Sequence, residues 1–157
     1  MKLGLCQMPV TASKTENDTV MRRYVRDAAA AGCDLVALPE MWCCPYDNAA
    51  FTDYAEPQGG QTWQLLRDTA RECCVWLVAG SVPERDGDAI YNTCYVFDPN
   101  GMQQAKHRKV HLFDIDVAGG QRFFESDTLS PGQHYTLFDT PFGKIGVAIC
   151  FDVRFAE

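Results

Sequence analysis

Three residues of this chain have the chemistry of an acyl-transfer centre: the Cys150 thiol, the Glu40 carboxyl and the Lys109 ammonium. A thiol attacks a carbonyl carbon, a carboxylate takes the thiol proton, and a fixed cation steadies the oxyanion that develops. Each also has an ordinary reading. Free cysteine is among the most buried residue types, and charged side chains are mostly exposed. Cys150 as core filler, Glu40 as a solvated or helix-entry carboxylate and Lys109 as a surface cation beside Lys106 are the competing assignments.

The setting of Cys150 favours the chemical reading. Ile145 to Ile149 form a short, almost wholly apolar strand in which Gly146 and Ala148 leave room for close packing, and Phe151-Asp-Val-Arg154 then changes character. A thiol at the end of a buried strand is held on a rigid support, at the edge where open α/β sheets place their ligands. The upstream elements fit such a sheet. Lys2 to Met8 is a first strand closed by Pro9, and Ser13-x-x-Glu16 is a capping box. Val20, Met21, Tyr24, Val25, Ala28 and Ala29 follow at helical spacing, and Gly32 is the stop. Asp34 to Leu38 is a continuously apolar strand, as expected where helices cover both faces of a sheet, and it ends in Pro39-Glu40. This β-α-β order predicts parallel strands.

Residues 41–60 are rich in aromatic, Gly, Pro and Asp residues and are expected to form a loop, a common form for a substrate lid; Tyr46 is its candidate substrate contact. Trp63, Leu66, Ala70 and Cys73 mark a second helix, and Val75 to Ala79 a third strand. Gly80 to Asp88 reads as a turn region. Ile90 to Asp98 and Met102 to Lys106 read as a hairpin turning at Pro99-Asn-Gly101. Residues 107–133 show no periodicity, and a long stretch of that kind is more often functional than idle. Tyr135 to Phe138 and Ile145 to Ile149 are the last strands.

Bulk properties narrow the function class. The 157 residues suffice for one domain with a real core, assigned here to residues 1–157, with 46% hydrophobic and 22% charged residues. A net charge of −7 with no Lys/Arg run weighs against nucleic acid, and no segment approaches the length of a membrane span. A cytoplasmic protein is expected. Eight cysteines fall partly in adjacent pairs, Cys43-Cys44 and Cys73-Cys74, which match neither zinc knuckles nor, in a reducing compartment, a disulfide framework. Most are expected to be small core fillers.

Three segments, in order, carry a family resemblance: Leu38-Pro-Glu40 with a following Trp, His107-Arg-Lys109-Val-His-Leu-Phe-Asp114, and Gly146-x-x-Ile-Cys150-Phe-Asp-x-Arg154-Phe. Together they resemble the signature segments of the nitrilase superfamily of carbon–nitrogen hydrolases. Tyr91-Asn-Thr93, His111 to Asp116, Phe124-Glu-Ser126, Thr128 to Gly132 and Arg154 to Glu157 most resemble its omega-amidase branch, which releases ammonia from the terminal amide of 2-oxoglutaramate and 2-oxosuccinamate. The resemblance implies an α-β-β-α sandwich and the absence of metal or cofactor. It makes Cys150 the nucleophile, Glu40 the general base and later acid, Lys109 the oxyanion cation, and Glu125 a supporting carboxylate. The Phe151 N–H would join Lys109 around the oxyanion, and a nearby Lys109 would favour a thiolate-like sulfur. Arg154 could pair with a substrate carboxylate or bridge to Asp152 or Glu157.

Family domains of this type exceed two hundred residues, so the chain is expected to hold about 55–60% of one, given usual domain lengths. The helix after the nucleophile, later strands and the elements that form a homodimer in the full-length protein are expected to be absent. That leaves open a non-catalytic, partner-binding chain as the reading from a different class. Within the enzyme class, a Cys–His hydrolase using His107, His111 or His134 and other amide or nitrile substrates are further alternatives.

Overall fold

The apolar runs Leu3–Leu5, Leu35–Ala37 and Trp76–Val78 are the strands β1, β2 and β3 of the computed structural model, which describes residues 1–155. They pair in parallel in the order β1-β2-β3, as a β-α-β chain requires. The first helix, α1 (Lys14–Ala30), opens at Ser13, whose hydroxyl accepts the Glu16 N–H at 3.3 Å. Glu16 turns its carboxylate to the Thr11 hydroxyl instead of the cap backbone, so only half of the capping box forms. A second long helix, α3 (Gln61–Cys73), follows a shorter one, α2 (Asn48–Tyr54).

Long β5 (Ala89–Phe97) continues the sheet in antiparallel fashion. One edge of it pairs first with β4 (Val82–Asp86) and then with β3, while the other carries β6 (Gln103–Arg108). The stretch expected to be a turn, Gly80 to Asp88, therefore contains a strand. Pro83 was tolerable there because a proline fits an edge position where its missing N–H costs no ladder bond. The segment 107–133 likewise holds a small hairpin, β7 (Asp114–Asp116) with β8 (Arg122–Phe124), turning through Gly119-Gly120. Strands of three residues are too short to leave a period in the sequence.

Alternate residues of the main sheet bury on opposite faces. Val36, Leu77 and Phe97 face Met21, Val25, Leu66 and Ala70 of α1 and α3. Their neighbours Leu35, Trp76 and Val96 face the other way. What covers them is a second sheet, β9 (Thr136–Thr140) paired antiparallel with β10 (Gly143–Val147), through Phe138, Ile145, Val147 and Ile149. Trp76 stacks on Phe138 with ring centroids 6.0 Å apart. The continuous apolar strands thus reflect a helix layer on one face and a sheet on the other, rather than helices on both. The layer order is α–β–β.

Two further expectations change. Cys150 does follow β10, but that strand is half exposed and lies in the two-stranded sheet, so its support is an inter-sheet contact. Residues 41–60 are not a free lid: Met41, Trp42, Cys43 and Cys44 are buried, and Asp47 caps α2 by accepting the Ala50 N–H at 2.8 Å. Of the eight cysteines, Cys6, Cys43, Cys44 and Cys94 are buried, Cys33 and Cys73 half-buried, and Cys74 and Cys150 exposed. Since Cys33 and Cys73 also pack against the core, most of them do serve as core filler, as expected.

Candidate active site

Glu40 leaves the end of β2 on a turn that the neighbouring strand end holds in place. Pro39 offers its carbonyl to the Ser81 N–H at 3.2 Å, the Ser81 hydroxyl accepts the Met41 N–H at 3.1 Å, and the Trp42 indole donates to the Ala79 carbonyl at 3.0 Å. Met41 itself sits in the left-handed region at φ 47°. Lys109 follows β6 directly. Its N–H donates to the Asn92 carbonyl and its carbonyl accepts the Gly132 N–H, at 2.9 and 2.8 Å.

The side chains converge from these anchors. The Lys109 ammonium has 0% side-chain exposure and lies 3.0 Å from Glu40 and 3.0 Å from Glu125. Glu125, also at 0%, follows β8 in a 3-10 turn and accepts the Phe113 N–H. The Tyr46 hydroxyl hydrogen-bonds Glu125 and lies 3.4 Å from Glu40. Asn92, buried in the middle of β5, donates from Nδ2 to Glu40 at 2.8 Å. Cys150 and Glu40 line one cavity of about 210 Å³ with Leu38, Val78, Gly80 and Cys94 between the two sheets. Glu40, Lys109, Glu125, Cys150 and Tyr46 are therefore one cluster.

Its electrostatics settle which group holds the protons. Burial alone would push the Lys109 ammonium down, but Glu40 and Glu125 outweigh it and hold the pKa above the usual lysine range. Burial pushes the Cys150 thiol up, the Glu40 charge pushes it further, and Lys109 opposes only in part. Lys109 does favour the thiolate, as expected, but burial and Glu40 outweigh it, because two carboxylates already share its field. The thiol is thus favoured in its protonated form, in a cavity that the Glu40 carboxyl also lines. Burial and the bond to Glu125 push the Tyr46 hydroxyl well above the usual phenol range, so it stays a donor.

Cys150 is in the left-handed region at φ 49° and opens the 3-10 turn Cys150–Arg154. A non-glycine residue held there costs on the order of 1 kcal/mol, and such positions gather at functional sites. The Phe151 ring packs edge-on against Phe113 at 5.5 Å and Phe155 at 5.5 Å. Arg154 is exposed and outside the cluster. Its suggested partner Asp152 is already held by His107, His111 and backbone N–H groups, and Glu157 lies outside the described residues. Those two histidines face Asp152, and His134 is exposed on the Lys106–Arg108 side, beside Tyr91. Among the described residues the cavity at Cys150 is lined by Glu40 and by no imidazole.

Asn92 and Asp152 were missed as site residues by the sequence reading. Both stand inside quoted segments, but an amide in a strand and a carboxylate in a turn have ordinary surface or turn roles until their partners are seen.

A two-layered sheet with a buried carboxylate–ammonium–carboxylate cluster beside a thiol defines the class of protein. The carbon–nitrogen hydrolase family model matches residues 2–157, and the chain belongs to that family. Its relatives include omega-amidase NIT2-A of Xenopus laevis, 49% identical over 99% of this chain, and human omega-amidase NIT2, 46% identical over the same share. Among solved structures, Saccharomyces cerevisiae Nit3, of branch 10 of the nitrilase superfamily, superposes with a TM-score of 0.87 at 35% identity over 99% of this chain. The chain spans 56% of the length of each of the two omega-amidases and 57% of Nit3. The α–β–β layers correspond to an incomplete nitrilase-type α-β-β-α sandwich.

Proposed function

We propose that this chain carries the catalytic half of an amidase that cleaves a linear terminal amide through a thioester on Cys150. The observation that carries the reading is the cavity that Cys150 shares with Glu40, whose carboxylate is itself bound to a fully buried Lys109. Glu40 takes the thiol proton as sulfur bonds to the amide carbon, and the carbonyl electron pair moves onto oxygen. Lys109 and the Phe151 N–H stabilise that oxyanion, an effect of about 3–4 kcal/mol per well-placed donor. When the carbon–nitrogen bond breaks, Glu40 returns the proton to nitrogen and ammonia leaves. Water then attacks the thioester with Glu40 again as base, releasing the acid and restoring the thiol.

Glu125 and Tyr46 serve this scheme from behind, Glu125 by fixing Lys109 and Tyr46 by fixing Glu125; Tyr46 also remains a donor within reach of substrate. The similarity to omega-amidases supports a 2-oxo-dicarboxylate monoamide as substrate. Ammonia release from 2-oxoglutaramate by the chain, and its loss by at least about 10²-fold in Cys150→Ala and in Lys109→Ala, is the expected outcome. Release unchanged in either variant contradicts the assignment.

A further inference from the structure

Asp152 is a carboxylate with 8% of its side chain exposed that accepts five hydrogen bonds from two stretches of chain, residues 107–111 and Ile149. One oxygen takes the consecutive N–H groups of Val110 and His111 at 3.1 and 2.8 Å, and the His111 Nδ1 at 3.1 Å. The other takes the Ile149 N–H at 3.0 Å and meets His107 Nε2 at 3.1 Å. The opposite nitrogen of His107 meets the Thr136 hydroxyl of β9 at 3.1 Å. Burial would raise this carboxyl, yet the bonds from His107, Ile149 and His111 outweigh it and hold its pKa far below the usual carboxylate range. Such a site is built for a charged carboxylate.

Its place in the chain gives this anchor a use. Asp152 lies two residues after Cys150, and the N–H groups it cradles come immediately after Lys109. Aromatic contacts run in the same direction: His111 stacks on Phe155 at 3.7 Å, and Phe113 meets Phe151. We propose that Asp152 is a positioning residue, which clamps the turn bearing the Cys150 thiol to the segment bearing Lys109 and so keeps the thiol in the cavity that Glu40 lines. The clamp also holds Cys150 in its left-handed backbone conformation, by capping the turn at Ile149. The inference rests on the reading of Cys150 and Glu40 as nucleophile and base.

A coupling cycle on the chain tests it, because a residue that merely stabilises the fold lowers the melting temperature without uncoupling two other side chains. The probe is iodoacetamide, with alkylation of the Cys150 peptide followed by mass spectrometry across pH; exposed Cys74 is the reference for reagent and buried Cys94 the reference for folding. In the parent chain Glu40→Gln is expected to lower the midpoint of the Cys150 profile by about one pH unit, the size of common protein pKa shifts. In the Asp152→Asn background the same change is expected to move it by less than a third of that. An undiminished shift in that background overturns the proposal. Absence of any shift in the parent chain instead contradicts the assignment of Glu40 and Cys150, so the two failures are distinct. Where Asp152→Asn exposes Cys94, Asp152→Glu, which keeps the charge on a longer arm, is read by the same criterion.

Discussion

Lys109 spends its charge twice. With two carboxylates at 3.0 Å and no exposed surface, it is the counter-ion that permits Glu125 to be buried as well as the proposed oxyanion donor. A buried ion whose partner is removed is strongly destabilised, by about 3–5 kcal/mol, so Lys109→Ala is expected to weaken folding as well as activity. The signs at the thiol differ between the two neighbours. Glu40 raises the Cys150 pKa and Lys109 lowers it, so Glu40→Gln moves the alkylation profile to lower pH and Lys109→Met to higher pH. Iodoacetamide labelling across pH 6 to 10 checks both, a range set by the ordinary thiol pKa of about 8.5; parallel shifts would contradict this electrostatic picture. The types and order of Glu40, Lys109, Glu125 and Cys150 were legible in the sequence. The protonation of Cys150 was not, because it depends on how many carboxylates share one ammonium, a count that only the folded geometry supplies.

Among the elements, strand ends do the positioning. The Glu40 turn is held by residues 79–81, and Gly80 makes that possible: at φ 57°, an added Cβ would lie 2.0 Å from the Pro39 carbonyl oxygen. Gly80→Ala is therefore expected to cost about 2 kcal/mol or more, since the backbone conformation and the contact are both unfavourable. Urea unfolding checks this, and a change within about 0.5 kcal/mol, the range of an ordinary surface substitution, would contradict the close approach. Helices α1 and α3, strands β2 and β3 and the β5–β6 hairpin were readable from their apolar patterns and turn residues. Strand β4 was hidden by Pro83 and its charged neighbours, and α2 by the aromatic and acidic composition of a segment whose Asp47 is a cap. Which partner covered the second face of the sheet was also unreadable, because a continuously apolar strand looks the same beneath a helix or another sheet.

At the scale of the molecule, the site forms where two sheets meet. Glu40, Asn92 and Lys109 come from the main sheet or its strand ends, while Cys150 comes from the β9–β10 hairpin, joined to it through Trp76, Phe138 and Ile149. The thiol is thus brought to the other groups by inter-sheet packing, and truncating Phe138 would act on chemistry from a distance. Tyr135, Leu137, Val153 and Phe155 leave apolar surface exposed on the hairpin side, in a chain that spans 56% of its omega-amidase relatives. No helix among the described residues is long and apolar enough to cross a membrane. The central claim is that these separated elements build one acylating thiol. It is tested most directly by quenching the chain in acid during reaction with 2-oxoglutaramate and weighing the peptide that contains Cys150. The account predicts a hydroxylamine-sensitive acyl adduct on that peptide, absent in Cys150→Ala; ammonia released with no adduct at Cys150, or an adduct on another cysteine, would contradict it.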